Sequence, residues 1–204
     1  MRQLVAILRG VTPDRVEGIG AALLDAGIAM IEVPLNSPAP YDSIDRLANL
    51  AGTHDDTLIG AGTVLEPEQV ARVAEAGGRL IVSPDTNPTV IAEAKRRGLV
   101  SCPGAMTPTE CLAALRAGAD MLKLFPAAQI GPAGLAAIRA VLPEATRVLA
   151  VGGAGPETFG AWIEAGAAGF GIGTALYRPG DSAETVGARA VEIVRAFDAV
   201  VQPR

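Results

Sequence analysis

The chain has 204 residues, half of them apolar and only 3% aromatic, and a formal net charge of −5. That length suits one domain whose core is filled by aliphatic residues and alanine. The acidic balance, with no basic block, excludes nucleic-acid and anionic-membrane binding, which need clustered Lys or Arg, and leaves any anionic substrate to be held by a local feature.

From the N-terminus onward, short apolar runs alternate with alanine-rich helical stretches. The runs are Leu4–Arg9, Met30–Leu35, Leu58–Val64, Leu80–Pro84, Val100–Ala105, Met121–Pro126, Val148–Gly153 and Gly169–Leu176, eight in all. They are continuous rather than strictly alternating, as strands buried on both faces are. Between them, Thr12-Pro13, Ser37-Pro38, Asn87-Pro88 and Thr107-Pro108 each put a side-chain oxygen at an N-cap and proline at the first helical position. Glu66-Pro67, Gly131-Pro132 and Gly155-Pro156 are weaker starts of the same kind. Gly27, Gly77, Gly98, Gly118 and Gly166 follow alanine or arginine where a left-handed residue would close a helix. The spacing of roughly 20 to 28 residues fits a strand, a three-turn helix and short loops. This pattern predicts a single compact domain over residues 1–204, a (β/α)8 TIM barrel near the lower size limit of that fold. An open doubly wound sheet would carry a Gly-rich fingerprint after the first strand, and Arg9-Gly10-Val11-Thr12 is not one.

Catalytic residues of such barrels sit at the C-terminal ends of strands, so polar residues inside the apolar runs are the informative ones. Glu32 interrupts the second run and Lys123 the sixth; Arg9 ends the first. Side chains alternate along a strand. If Leu122, Leu124, Ile31 and Val33 face the helices, then Lys123, Phe125 and Glu32 face the barrel axis. Burial lowers the proton affinity of an amine, and a neutral amine can attack a ketone to give an imine that accepts the electrons of an adjacent C–C bond. Glu32 is the carboxyl available to move protons. A structural Lys–Glu pair in the barrel core is the competing reading, and Arg9 could equally be a salt-bridge partner at the rim.

Glycines mark the far end: Val151-Gly152-Gly153-Ala154-Gly155 closes the seventh run, and Gly169-Phe170-Gly171-Ile172-Gly173-Thr174 forms the eighth. The loops after these strands are the usual phosphate site of such barrels. His54, the only histidine, reads as a surface-loop residue, so a metal site built on several histidines and Ser/His/Asp hydrolysis both lose support. Cys102 and Cys111 read as reduced, partly buried thiols, and Trp162 as packing in the seventh helix. No apolar run reaches the roughly 20 residues that span a bilayer. Met1 leads straight into a strand with no signal peptide, which points to the cytoplasm.

Ala6-Ile7-Leu8-Arg9-Gly10, Ile31-Glu32-Val33-Pro34-Leu35-Asn36-Ser37-Pro38, Ile59-Gly60-Ala61-Gly62-Thr63-Val64, Cys102-Pro103-Gly104, Leu122-Lys123-Leu124-Phe125-Pro126 and Val151-Gly152-Gly153 together resemble the 2-keto-3-deoxy-6-phosphogluconate/6-phosphogalactonate aldolase family, over essentially the whole chain. The resemblance implies a metal-free, cofactor-free class I aldolase acting on a phosphorylated keto-deoxy sugar acid, and a homotrimer. It implies that Lys123 forms the imine with the C2 ketone and that Glu32 moves protons through water. It implies that Thr63 and neighbouring N–H groups hold the pyruvate carboxylate and that Arg9 binds substrate. Gly152, Gly153, Gly173 and Thr174 would form the phosphate end, and Pro84 and Phe125 would line the pocket. The gluconate enzymes typically read Thr-Leu-Arg-Thr after the strand-2 glutamate and Pro-Thr-Gly-Gly at strand 7. This chain has Pro34-Leu35-Asn36-Ser37 and Ala150-Val151-Gly152-Gly153, which looks like the galactonate branch, with Asn36 and Val151 at substrate-facing positions. The gluconate or hydroxy-oxoglutarate reaction of the same family is the near alternative. A phosphosugar isomerase or epimerase with Glu32 as base is the distant one, and a non-enzymatic metabolite-binding barrel the last.

Overall fold

The computed structural model describes residues 1–52 and 56–201; the loop reading of His54 falls outside them. The strands are β1 (Leu4–Ile7), β2 (Met30–Pro34), β3 (Leu58–Gly62), β4 (Leu80–Val82), β5 (Val100–Cys102), β6 (Gly104–Ala105), β7 (Leu122–Leu124), β8 (Val148–Val151) and β9 (Gly169–Ile172). The helices are α1 (Pro13–Asp25), α2 (Pro40–Ala51), α3 (Pro67–Glu75), α4 (Pro88–Arg96), α5 (Pro108–Arg116), α6 (Ala127–Arg139), α7 (Phe159–Glu164) and α8 (Ala183–Val201).

All pairings are parallel, in the order β5-β4-β3-β2-β1-β9-β8-β7-β6. The fifth predicted strand is two pieces, because Pro103 has no N–H to give to a ladder. The break does not open the ring. Ser83 N donates to Cys102 O (3.3 Å) and Gly104 N to Asp85 O (3.1 Å) on one side, while Lys123 N donates to Pro103 O (2.9 Å) and Phe125 N to Ala105 O (3.1 Å) on the other. The result is the expected eight-unit barrel with one interrupted stave.

Two cores follow from the alternation of side chains. Leu4, Ala6, Ile31, Val33, Ile59, Leu122 and Leu124 point outward into the layer between strands and helices. There Phe159 stacks on Phe170 at 4.0 Å, Phe197 packs edge-on to both, and Trp162 is buried in α7. Val5, Met30, Leu58, Leu80, Val82, Cys102, Met121, Leu149 and Val151 fill the barrel interior. Both cysteines are free and fully buried, more so than their sequence context suggests.

The helix ends match their signals unevenly. Asn87 Oδ1 accepts from Thr89 N, and Thr107 Oγ1 from Glu110 N with Glu110 reaching back to Thr107 N, so α4 and α5 are capped by side chains. Gln69 returns a similar contact to Glu66 N at the start of α3. Thr12 does not cap α1. The Ser37-Pro38 start is displaced: α2 begins at Pro40, after Ala39 at φ 40°. Ser37 is drawn elsewhere, its Oγ accepting from Gly10 N at 2.9 Å. Gly131-Pro132 is a kink inside α6, where Gly131 at φ 69° lets a fresh helix begin. Gly155-Pro156 opens one 3-10 turn before α7. The five helix-closing glycines all have positive φ, between 71° and 98°.

Candidate active site

Lys123 is the central residue of β7 and Glu32 of β2; inward registration leaves them 7% and 2% exposed. Their flanking residues, Leu122, Leu124, Ile31 and Val33, lie in the outer core, so the alternation places amine and carboxyl on the axis. A cavity of about 520 Å³ opens above them at the C-terminal end of the strands. Arg9, Glu32, Thr63, Pro84, Lys123, Phe125, Val151, Gly152, Gly153, Gly173 and Thr174 all line it. Asn36 does not. Its Oδ1 accepts from Arg9 Nη1, so it meets the cavity through the arginine.

The amine and the carboxyl share a cavity but not an ion pair: among the described residues neither belongs to a salt bridge within 4.0 Å. Glu32 Oε2 is buried and has no hydrogen-bond partner. A pair kept for structure would be in contact, because a separated buried pair forfeits the attraction that offsets desolvation. Burial lowers the proton affinity of Lys123, against the pull of Glu32, and Arg9 lowers it further. Burial pushes the Glu32 carboxyl up to about 7, against Lys123 and Arg9. Lys123 Nζ lies 4.7 Å from the centroid of Phe125, a contact that favours the charged form. The floor beneath is apolar, with Val5, Ile7, Val82, Leu149 and the Cys102 thiol, which burial holds at about 12.

Two further features were not legible in the sequence. A Cβ at Gly62 would fall 1.9 Å from Glu32 Oε2, so the carboxyl rests on a surface that only glycine provides. Thr63, next in the chain, has φ 57°, a left-handed conformation uncommon for a β-branched residue. The N–H groups that follow Thr63 are already engaged, Val64 with Val82 O and Leu65 and Glu66 with Gln69 Oε1. A carboxylate here would therefore meet Thr63 rather than the N–H groups that follow it. At the glycine end, Gly152 and Gly153 have φ 89° and 94°. Ile7, Ala154, Gly155, Pro156, Glu157, Gly171 and Ala175 also line the cavity. Ala154, Gly155, Pro156 and Gly171 belong to the glycine-rich runs already noted, Ile7 is an apolar residue at the end of β1 with no polar signal, and Glu157 looks like a helix-start acid that compensates the dipole. No group of three or more His, Cys, Asp and Glu among the described residues could hold a metal ion. A more open cleft of about 610 Å³ at the opposite end is bordered by the Arg2–Asp198 ion pair and lacks this convergence.

The family model for KDPG and KHG aldolases matches residues 1–187. With that match, fold and site define an enzyme of the aldolase class. The chain is 49% identical to the probable 2-dehydro-3-deoxy-6-phosphogalactonate aldolase of Rhizobium meliloti (strain 1021), covering 98% of this chain and 93% of that one. It is 47% identical to the 2-dehydro-3-deoxy-6-phosphogalactonate aldolase of Escherichia coli (strain K12), covering 98% and 96%. A solved structure described as native KDPGal superposes with a TM-score of 0.95 at 46% identity, covering 98% and 96%. The chain belongs to the KDPG and KHG aldolase family.

Proposed function

We propose that the chain is a Schiff-base aldolase that cleaves 2-dehydro-3-deoxy-6-phosphogalactonate to pyruvate and glyceraldehyde 3-phosphate. The observation that carries this reading is the buried, ion-pair-free amine of Lys123 sharing a cavity wall with the unpartnered oxygen of Glu32. Neutral Lys123 attacks the C2 ketone, and loss of water from the carbinolamine leaves a protonated imine. Glu32, working through water, takes the proton of the C4 hydroxyl as C3–C4 breaks. The electron pair flows into the iminium and the aldehyde departs. The enamine then takes a proton at C3, and water releases pyruvate from the lysine. The imine is the electron sink, so these steps call for no metal.

Thr63 is assigned to the pyruvate carboxylate and Arg9 to the anionic substrate. Gly152, Gly153, Gly173 and Thr174 take the phosphate, Pro84 and Phe125 form the walls, and Val151 lies by the C4 hydroxyl. Relatives at 47–49% identity carrying the galactonate name support that epimer over the gluconate or hydroxy-oxoglutarate substrates of the wider family. A phosphorylated sugar acid is membrane-impermeant, which supports a cytoplasmic workplace, and no described helix is long and apolar enough to cross a membrane. We read the assembly as a homotrimer. Leu65 and Met106, 42% and 41% exposed on the connections that follow β3 and β6, give it apolar surface to cover.

The test is reductive trapping. Protein incubated with pyruvate and borohydride is weighed intact and its modified peptide mapped, with Lys123→Ala as control. A pyruvate adduct on Lys123, absent from the control, is the expected result. No adduct, alongside phosphosugar isomerase activity, would replace the aldolase by the isomerase reading.

A further inference from the structure

We propose that Asn36 and Ser37 form a two-point clamp that positions Arg9 over the cavity. The inference rests on the aldolase reading above and assigns Asn36 a positioning role rather than contact with substrate. Arg9 lies beyond the end of β1 and is exposed between the buried Leu8 and Val11, and its side chain has the rotamer freedom of a long, flexible cation. Left free, it would sample many directions away from the cavity. Two adjacent residues after β2 prevent this. Asn36 Oδ1 accepts from Arg9 Nη1, fixing the guanidinium. Ser37 Oγ, 7% exposed as a residue, accepts from Gly10 N at 2.9 Å, fixing the backbone that carries the arginine. Pro179 lies close to the same loop, its Cγ 2.9 Å from where a Cβ of Gly10 would stand, so the position has room only for glycine.

This explains why Ser37 does not cap a helix. Its hydroxyl is the acceptor for a loop 27 positions away in sequence, and α2 starts at Pro40 instead. It also explains why Asn36, although beside the cavity mouth, is not part of the cavity wall while Arg9 is. The amide oxygen orients the cation without neutralising it, which a carboxylate would do. An oriented, fully charged guanidinium is what an anionic sugar acid requires.

A double-mutant cycle on the full-length chain tests the clamp, with KM and kcat measured for the phosphorylated galactonate-type substrate. Arg9→Ala and Asn36→Ala are each expected to raise KM about 10-fold, with kcat held within about threefold. Adding Asn36→Ala to Arg9→Ala then raises KM by less than about twofold more, because the residue acts only through the arginine. Ser37→Ala shifts KM in the same direction, again only while Arg9 is present. Additive losses mean that Asn36 meets substrate itself and overturn the proposal, as does an unchanged KM in either single variant. Melting curves of each variant separate misfolding from these effects. Pyruvate and borohydride treatment of the wild type keeps the two readings apart. No adduct on Lys123 defeats the aldolase assignment, whereas an adduct with an additive cycle defeats the clamp alone.

Discussion

Glu32 carries a stability consequence that can be read against pH. Its carboxyl has an ordinary value near 4.5 and is pushed up to about 7 by burial. Between those values the folded chain keeps a proton that the unfolded chain has released, so folding becomes less favourable as pH rises through that window. The contribution is whole below the lower value and lost above the upper one. Glu32→Gln removes the titration. Urea denaturation is expected to show the variant near wild-type stability at pH 4.5 and more stable by about 3 kcal/mol at pH 8, while cleavage is lost. Equal stability of the two proteins at pH 8 would mean that the carboxyl is not held in the dry environment described. The opposite shift at Lys123 has the same physical origin, since burial disfavours whichever form is charged. Both residues were legible in the sequence because an ionisable group inside a run buried on both faces has nowhere to go but the axis.

At the scale of the element, the strand ends and helix caps divide into what a local pattern can show and what it cannot. The eight units were readable because proline at helix starts and glycine at helix ends act within a few residues of themselves. The start of α2 was not, since the partner that claims Ser37 comes from the β1 loop. The break at Pro103 was hidden because the residues on either side continue the apolar run. Gly62 was hidden for a different reason: its value depends on a carboxyl arriving from the neighbouring strand. Gly62→Ala would drive a methyl into Glu32 Oε2, and the expected result is a fall in kcat of about 10²-fold with the imine to Lys123 still trapped. A variant with wild-type kcat would show that the carboxyl tolerates displacement. On β8, Val151→Thr changes shape little but adds a hydroxyl to the cavity wall. The ratio of kcat/KM values is expected to move about 10-fold toward the gluconate epimer, and a fixed ratio would place the discrimination elsewhere.

For the whole molecule, the closed ring removes free sheet edges, so association must use side-chain surface rather than strand pairing. Sedimentation at micromolar concentration is expected to give three times the 20.7 kDa chain mass. Leu65→Asp with Met106→Asp is expected to lower it; a monomeric wild type would remove the trimer.

The separation of the interior into two apolar layers, divided by the strand backbone, has an evolutionary consequence. Substitutions at Val82, Leu149 or Cys102 alter the medium around the Lys123 amine while the shell that anchors the helices stays as it was. The surroundings of the amine and the anchoring of the helices thus rest on different faces of the same strands. A lineage could retune one for a new carbonyl compound without renegotiating the other.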